Sequence, residues 1–468
     1  MPVRALPAGV LDELRAAVGQ GNVRIGEAVS ELDPGQHLDN LRAGVVVSPV
    51  STAEVVAVVR VCGAHNVPIV SHGGRTGLVG GGISQPGEVV LSLRRMNEID
   101  SLEPADRVAI VGAGCTLESL QQAAAEHRLE PGIDLAARGS ATIGGMVSTN
   151  AGGVMAFRNG VMRHRVLGLE AVLPDGSVYS DLTRVVKNSA GYDLKHLFIG
   201  AEGTLGVVTR IAIKLDPLPP TTATAMLGLS SVGAALDAIR IALDADAGHL
   251  RAAEAMWRDY LRLAAEALDW SGASLGLDCP IYLLLLLGGA NDDSLHDALA
   301  HIFDLTTALH PDTSGIVAGS PRQAADLWRL REDTDLIYLT HPGAPAYDVS
   351  VPSSKIEAYA ESVFAGLADI DPTLSPYVFG HIADGNLHIM INRPGSIAPE
   401  LSARIDDVLF RDLRALGGSF SAEHGVGCKR IRPMFDNTDA TKLRLMRVAK
   451  TALDPQNLMN PGKVLPLL

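Results

Sequence analysis

Cysteine is scarce. The four residues Cys62, Cys115, Cys279 and Cys428 lie far apart and none forms a CxxC pair. That spacing argues against a disulfide framework or a thiolate zinc site and fits a reducing compartment. Long apolar runs are missing too. The longest, Ile281 to Leu287, falls far short of the ~20 residues that cross a bilayer. The N-terminal MPVRALPAGVLDELRAAVG sets Asp12 and Glu13 among its leucines, so it reads as an amphipathic helix and not as a secretory segment. Basic residues are in deficit, 39 against 53 acidic, for a net charge of −14. Such a surface repels phosphate backbones and anionic lipid, which excludes a nucleic-acid partner as the first reading. The expectation is a cytoplasmic chain with no transmembrane segment.

Glycine, by contrast, is plentiful: 48 residues, and they cluster, as backbone wrapped closely around a ligand would require. With 47% apolar and 20% charged residues the chain is a folded one. At roughly 150 residues per domain its length predicts about three compact units. Val45–Val47 reads as strand. Ser51 and Glu54 form a capping box that opens a helix over Val55–Val61, and Pro68–Val70 is a short strand. Further strands are predicted over Glu88–Leu93, Val108–Val111, Val166–Leu173 and Val207–Leu215, with a helix at Leu117–His127. The run Leu215-Asp-Pro-Leu-Pro-Pro-Thr-Thr breaks the pattern, because adjacent prolines cannot continue a ladder, and marks a domain boundary. Beyond it strands and helices alternate again, so the chain reads as α+β with two large lobes.

The densest glycine stretch carries Gly73, Gly74, Gly77, Gly80, Gly81 and Gly82 after a buried strand. Successive amides unshielded by side chains form a nest for a diphosphate. No lysine follows, as a Walker loop would need, and the next element is a strand, where a Rossmann turn needs a helix. A second segment, Val111-Gly-Ala-Gly-Cys-Thr-Leu117, mimics a nucleotide turn, but its sixth position is Leu and a plain strand–turn–helix explains it better. Two more glycine segments, 139–153 and 200–209, suggest an extended ligand, a dinucleotide more than a mononucleotide.

Phe379-Gly-His-Ile-Ala-Asp-Gly-Asn-Leu-His388 is the most informative segment. With Asp384-Gly385 as a two-residue turn, His381 faces His388, with Cβ atoms about 4.5–5.5 Å apart. Two imidazoles so placed can bind one metal ion, and Glu423 or His424 could supply a third ligand. A regular strand would point those two adjacent side chains to opposite faces, so Gly425 must end it. On a helix Arg331 shares a face with Trp328, and its guanidinium can clamp a carboxylate.

Taken together, the segments HGGRTGLVGGG, TIGGMVSTNAGG, GYDLKHLFIGAEGTLGVVT, GHIADGNLH, SAEHGVG and NPGKVL resemble the flavin-dependent D-2-hydroxyacid dehydrogenases of the vanillyl-alcohol oxidase/PCMH-type FAD superfamily. TGLVGG and SAEHGVG are most similar to the D-2-hydroxyglutarate and D-lactate dehydrogenase branch. The likeness covers most of the chain, from about Val45 to Lys463. It implies an N-terminal helical segment over 1–40, a two-lobed PCMH-type FAD domain over 41–220, a cap domain with an antiparallel sheet and helices over 221–420, and a helical C-terminal segment, 421–468, that returns to the flavin. By the same likeness Gly73, Gly74, Arg75, Thr76, Gly77, Gly80 and Gly81 hold the FAD pyrophosphate. Thr142, Gly144, Gly145, Ser148, Asn150, Gly152 and Gly153 line the flavin and ribityl chain. Glu202, Gly206, Val207 and Asn460 add cofactor contacts. His381, His388 and Glu423 match divalent-metal ligands (zinc or manganese), His424 a catalytic base, Asn386 a substrate contact and Arg331 the carboxylate clamp.

Two departures stand out. Ala346 occupies the place, two residues before Asp348 in a Tyr-Asp-x-Ser-x-Pro strand, where that branch usually has lysine. The glycine loop reads Ser71-His72 and Arg75 where the family more often has Pro-Arg or Pro-Gln and Gly or Asn. No attachment motif for covalent flavin is visible, so non-covalent FAD is expected.

The implied reaction oxidises a small anionic D-2-hydroxy acid to the 2-oxo acid by hydride transfer to flavin N5, with metal, Arg331 and Lys429 gathering positive charge inside an acidic protein. The electron acceptor is left open among an electron-transfer flavoprotein, a quinone, a cytochrome and oxygen, and a homodimer is compatible. Two other readings are a metal-dependent hydrolase of a phosphorylated substrate and a non-catalytic flavin-binding electron-relay subunit.

Overall fold

Runs of three to eight residues, most of them carrying valine, build the strands of the first part of the chain. In the computed structural model, which describes residues 6–245, 248–272, 275–342 and 344–466, they form two sheets. In the first, the order is Val23–Ile25, Val45–Val47, Val89–Ser92, Ile69–His72; the last two pairings are parallel and the first is antiparallel. The N-terminal segment, expected as helical, thus supplies a strand as well as the helix Val10–Val18. Residues 1–5 and 467–468 of the terminal segments lie outside the described residues. The second sheet is antiparallel throughout, in the order Ile99–Glu103, Val108–Gly112, Val207–Lys214, Val166–Val172, Val178–Asp181.

Caps follow the sequence signals with one change. Ser51 accepts the amide of Glu54 at 3.3 Å and opens the helix Thr52–Ala64. The reciprocal half of the box goes elsewhere: the Glu54 carboxylate accepts from Val50 at 2.8 Å. The segment that mimics a nucleotide turn is a strand–turn–helix, with Thr116 capping Leu117–Ala125. Its Gly112 and Gly114 lie so close to the carbonyls of Met96 and Leu93 that a Cβ on either would collide with them.

The chain divides into two compact units, where length alone suggests about three. One takes the described residues of Met1–Gly153, Asn159–Leu218 and Glu423–Leu468; the other takes Val154–Arg158 and Pro219–Ala422. In the first unit the C-terminal stretch extends the first sheet: the Ile69 amide donates to Leu458 and the Asn460 amide to Ile69, both at 2.8 Å.

A seven-stranded antiparallel sheet organises the second unit, in the order Ser314–Val317, Thr221–Leu229, Ile281–Gly289, His249–Trp257, Ser375–His381, Asn386–Asn392, Ala346–Ser350. Period-two alternation splits its side chains. Leu283, Leu285, Ala253, Val378, Ile389 and Val349 face the helices Val232–Leu243, Asp292–Leu309, Ile356–Ile370 and Pro399–Phe410. Met226, Leu284, Met256, Phe379 and Met390 face Arg258–Ala267, Pro321–Glu332 and Asp335–Thr340. The sequence pattern predicts one helix over Arg322–Leu336; two occur, because the chain breaks at Asp333. No helix of the described residues is long and apolar enough to cross a membrane.

Candidate active site

The glycine loop runs between the parallel strands Ile69–His72 and Val89–Ser92. Gly73 packs on the Thr142 hydroxyl and Gly74 on the Ser140 carbonyl so tightly that neither position admits a Cβ, whereas Gly77 has nothing within 4 Å. Among the described residues, no acceptor meets the backbone N–H groups of residues 74–82. Nine consecutive donors without a partner make a ready nest for an anion. His72 closes the loop from below: its Nε2 lies 2.7 Å from the Gly82 carbonyl, and burial pushes its pKa down to about 4. By sequence His72 is only a departure from the family's loop; in the structure it pins that loop.

Thr142 caps the short helix Ile143–Thr149 by accepting the Gly145 amide at 3.3 Å. Gly144 packs against Ala113 and leaves no room for a Cβ. Ser148 donates to the Gly144 carbonyl at 2.8 Å, and Asn150 ends the helix in a left-handed conformation with its side chain accepting from Arg163 at 2.9 Å. Gly152 and Gly153 are buried just beyond. Arg75 turns its guanidinium toward the Asp33 carbonyl, while Thr76 is half-buried in the loop. Val207 starts a sheet strand opposite Val172, and Gly206 just before it lies against the Val172 carbonyl. Asn460 donates to the carbonyls of Gly81 at 3.0 Å and Glu202 at 2.7 Å, and its buried Oδ1 has no partner among the described residues.

Glu202, expected among the cofactor contacts, also uses its side chain within the protein. The buried carboxylate accepts from Val426 at 2.7 Å and Gly427 at 2.9 Å. Burial, opposed by these two bonds and by Lys463, pushes its pKa up to about 7. The stretch held this way carries Glu423 and His424. Glu423 accepts the Gly153 amide at 2.5 Å. Residues 423 and 424 are not in a strand, and Gly425 takes a positive φ of 82°, so strand alternation does not set their directions.

In the second unit, the histidines meet by a different register from the one expected. His388 stands opposite Phe379, not opposite His381. A 3-10 turn over Ile382–Asp384 and a left-handed Gly385 widen the hairpin, and His381 pairs instead with Glu254 on the other neighbouring strand. His381 lies two residues from Phe379 and so shares its face. The two imidazoles still approach, at 5.3 Å between centroids and 86° between planes.

Across that face runs a row of ionisable groups. Glu254, fully buried, has Oε1 2.7 Å from His381 Nδ1 and Oε2 2.7 Å from an Arg331 amino nitrogen. His388 Nδ1 is 3.6 Å from Asp348, which also accepts from Asn386 at 2.8 Å and from the Ala422 amide at 3.0 Å. The guanidinium of Arg331 lies over Phe379, 4.9 Å from the ring centroid. Its Nε and the Oδ1 of Asn386 are buried and unpartnered among the described residues. An orphan donor and an orphan acceptor suit a ligand bearing a carboxylate and a hydroxyl. Glu254 and Asp348 were missed from sequence. Their one signal is a carboxylate at a core-facing position of an apolar strand.

A family model for the C-terminal domain of FAD linked oxidases matches residues 218–464, and one for an FAD binding domain matches residues 43–181. In fold the chain resembles p-cresol methylhydroxylase with substrate bound, at a TM-score of 0.75 and 19% identity over 98% of both chains. It also resembles alkyldihydroxyacetonephosphate synthase, at a TM-score of 0.74 and 16% identity over 98% of this chain and 86% of that one. Fold and matches together define an FAD-dependent oxidoreductase of PCMH-type architecture, which removes the hydrolase reading. A D-2-hydroxyglutarate dehydrogenase of Xanthomonas citri pv. viticola is 37% identical over 89% of this chain and 88% of its own. The mitochondrial D-2-hydroxyglutarate dehydrogenase of Danio rerio is 35% identical over 90% and 78%. This chain belongs to the FAD-linked D-2-hydroxyacid dehydrogenases.

Proposed function

We propose that the protein oxidises a D-2-hydroxy acid to the 2-oxo acid, with His381, His388 and Glu423 as ligands of a divalent cation. The observation that carries this reading is the state of His381. Its Nδ1 lies 2.7 Å from the Glu254 carboxylate, and the His388 ring lies 5.3 Å away on the same face. A carboxylate behind a ligating imidazole is the usual support for a metal-bound histidine, and the donor set suits zinc or manganese. Glu423 is the residue next in the chain to Ala422, whose amide is bound to Asp348 in the same row.

When bound, FAD supplies the acceptor for the C2 hydride, and the cation supplies Lewis acidity toward the hydroxyl. The chain does the rest. Arg331 binds the substrate carboxylate through its remaining N–H groups, Asn386 Oδ1 accepts a hydrogen bond, and His424 takes the hydroxyl proton. The glycine loop binds the FAD diphosphate on its amides, and the bond from His72 to Gly82 keeps that loop closed.

The substrate's far end meets Ala346, which pairs with Met390, itself paired with Tyr377. This row lies two residues along the strand from His388, on the same face. It offers an apolar and aromatic surface where a lysine would have offered a charge. The substrate we favour is therefore a D-2-hydroxy acid whose tail carries no second carboxylate.

Anaerobic bleaching of the FAD absorbance by a panel of D- and L-2-hydroxy acids tests the reading. Bleaching by D-enantiomers is expected. A flavin that no hydroxy acid reduces would favour the electron-relay alternative and overturn the proposal.

A further inference from the structure

A lone carboxylate in an apolar core is costly even after relaxation. Glu254 sits in the middle of the strand His249–Trp257, fully buried between Ala253 and Ala255. A strand in that place needs no charge for packing. What distinguishes Glu254 is that its two oxygens face two different side chains: Oε1 is hydrogen-bonded to His381 and Oε2 is ion-paired with Arg331, each at 2.7 Å.

We propose that Glu254 is a positioning residue that sets the tautomer of His381 and the orientation of Arg331 together. This rests on the roles given above to those two residues. A carboxylate can only accept, so a neutral His381 imidazole carries its proton on Nδ1 and its lone pair on Nε2. The same carboxylate holds one amino group of Arg331, and the Phe379 ring, 4.9 Å from Cζ, fixes the guanidinium plane. The buried, unpartnered Nε is thereby left for a ligand. The fold brings the three together from distant parts of the chain. Glu254 pairs with His381 across neighbouring strands, and Arg331 comes down from the last turn of the helix Pro321–Glu332. An amide at position 254 keeps one acceptor oxygen, replaces the other with a donor and loses the charge, so it cannot hold His381 and Arg331 as the carboxylate does.

The test uses FAD-loaded protein stripped of metal, as wild type, Glu254→Gln and Glu254→Asp. Three quantities are read: the histidine tautomer by 15N NMR of the wild type with His381→Gln for assignment, the affinity for Zn2+ and Mn2+ by chelator competition, and KM and kcat separately. The expected result is an Nδ1–H tautomer at His381. In Glu254→Gln, metal affinity falls about 10- to 100-fold and KM for the hydroxy acid rises about tenfold or more, with FAD content unchanged. Glu254→Asp recovers part of both. An Nε2–H tautomer in the wild type overturns the proposal even if the variant fails to fold, as does a folded Glu254→Gln with wild-type metal affinity and KM. A wild type that takes up neither metal overturns the metal reading instead, and the tautomer still decides the role of Glu254.

Discussion

The Glu202 carboxylate accepts the backbone N–H of Gly427 at 2.9 Å, from a glycine segment more than two hundred residues earlier in the chain. With the bond to Val426 it anchors the stretch that follows Glu423 and His424. Its pKa, pushed by burial from 4.5 to about 7, makes the bond pH-sensitive. Between those values the folded chain holds a proton that the unfolded chain has released. Stability therefore falls as pH rises from about 4.5 to 7, by an amount on the order of 3 kcal/mol from this group. Glu202→Gln should remove that slope. Urea unfolding at a series of pH values checks it, and a variant with the wild-type slope would assign the pH dependence elsewhere.

His72 acts in the opposite sense. Burial lowers its pKa from 6.5 to about 4, so the unfolded chain binds the extra proton, and stability falls as pH drops through that interval. Over pH 4.5–6.5 the two groups oppose one another. The expected pattern is crossed: relative to wild type, Glu202→Gln gains stability with rising pH and His72→Gln loses it. Parallel slopes in the two variants would contradict the assignment.

Two glycines separate folding from cofactor binding. Gly74 abuts the Ser140 carbonyl, and Gly77 abuts nothing. Gly74→Ala should destabilise the FAD-free protein by roughly 1–3 kcal/mol through overpacking. Gly77→Ala should leave FAD-free stability within about 0.5 kcal/mol and weaken FAD binding. Thermal melts without cofactor and FAD fluorescence titration measure the two effects. Wild-type FAD affinity in Gly77→Ala would move the diphosphate away from this loop.

How much of this was readable in the residues varies with the range of the interaction. Asp384-Gly385 announced a hairpin and placed His381 near His388. The register was wrong by two because a 3-10 turn at Ile382–Asp384 takes up residues that a tight turn would leave in the ladder. The pair survived the error because a shift of two preserves the face. Glu254 was not readable. Its partners are brought by strand pairing and helix packing between distant segments, and nothing in Ala253-Glu-Ala255 says which side chains will arrive. Ser51 and Glu54 show the same limit at short range: the spacing called for a closed box, while the Glu54 side chain found the neighbouring amide of Val50. Composition said least about location. A reducing compartment is as consistent with the mitochondrial protein of Danio rerio as with the cytoplasm first expected.

Separate losses should distinguish the histidines. His381→Ala and His388→Ala should lose bound metal, measured by mass spectrometry of the dialysed protein, and retain FAD. His424→Ala should keep FAD yet abolish flavin bleaching by the hydroxy acid. Normal bleaching in His424→Ala would remove it as the base, and unchanged metal content in both of the other variants would remove the ligand assignment.

Position 346 tests substrate choice. Ala346 opens a strand opposite Met390, on the face that carries His388 and Asp348. A lysine there would reach along that face past Met390, and a charged hydrogen bond to a second carboxylate contributes about 1.5–3 kcal/mol. Ala346→Lys should therefore shift the ratio of kcat/KM for a D-2-hydroxy diacid over a monoacid by roughly 10- to 100-fold toward the diacid, chiefly through KM. FAD content and the rate with the monoacid at saturation report whether the site is otherwise intact. A ratio that does not move, in a variant that still turns over the monoacid, would place the substrate's tail away from the Ala346–Met390–Tyr377 row.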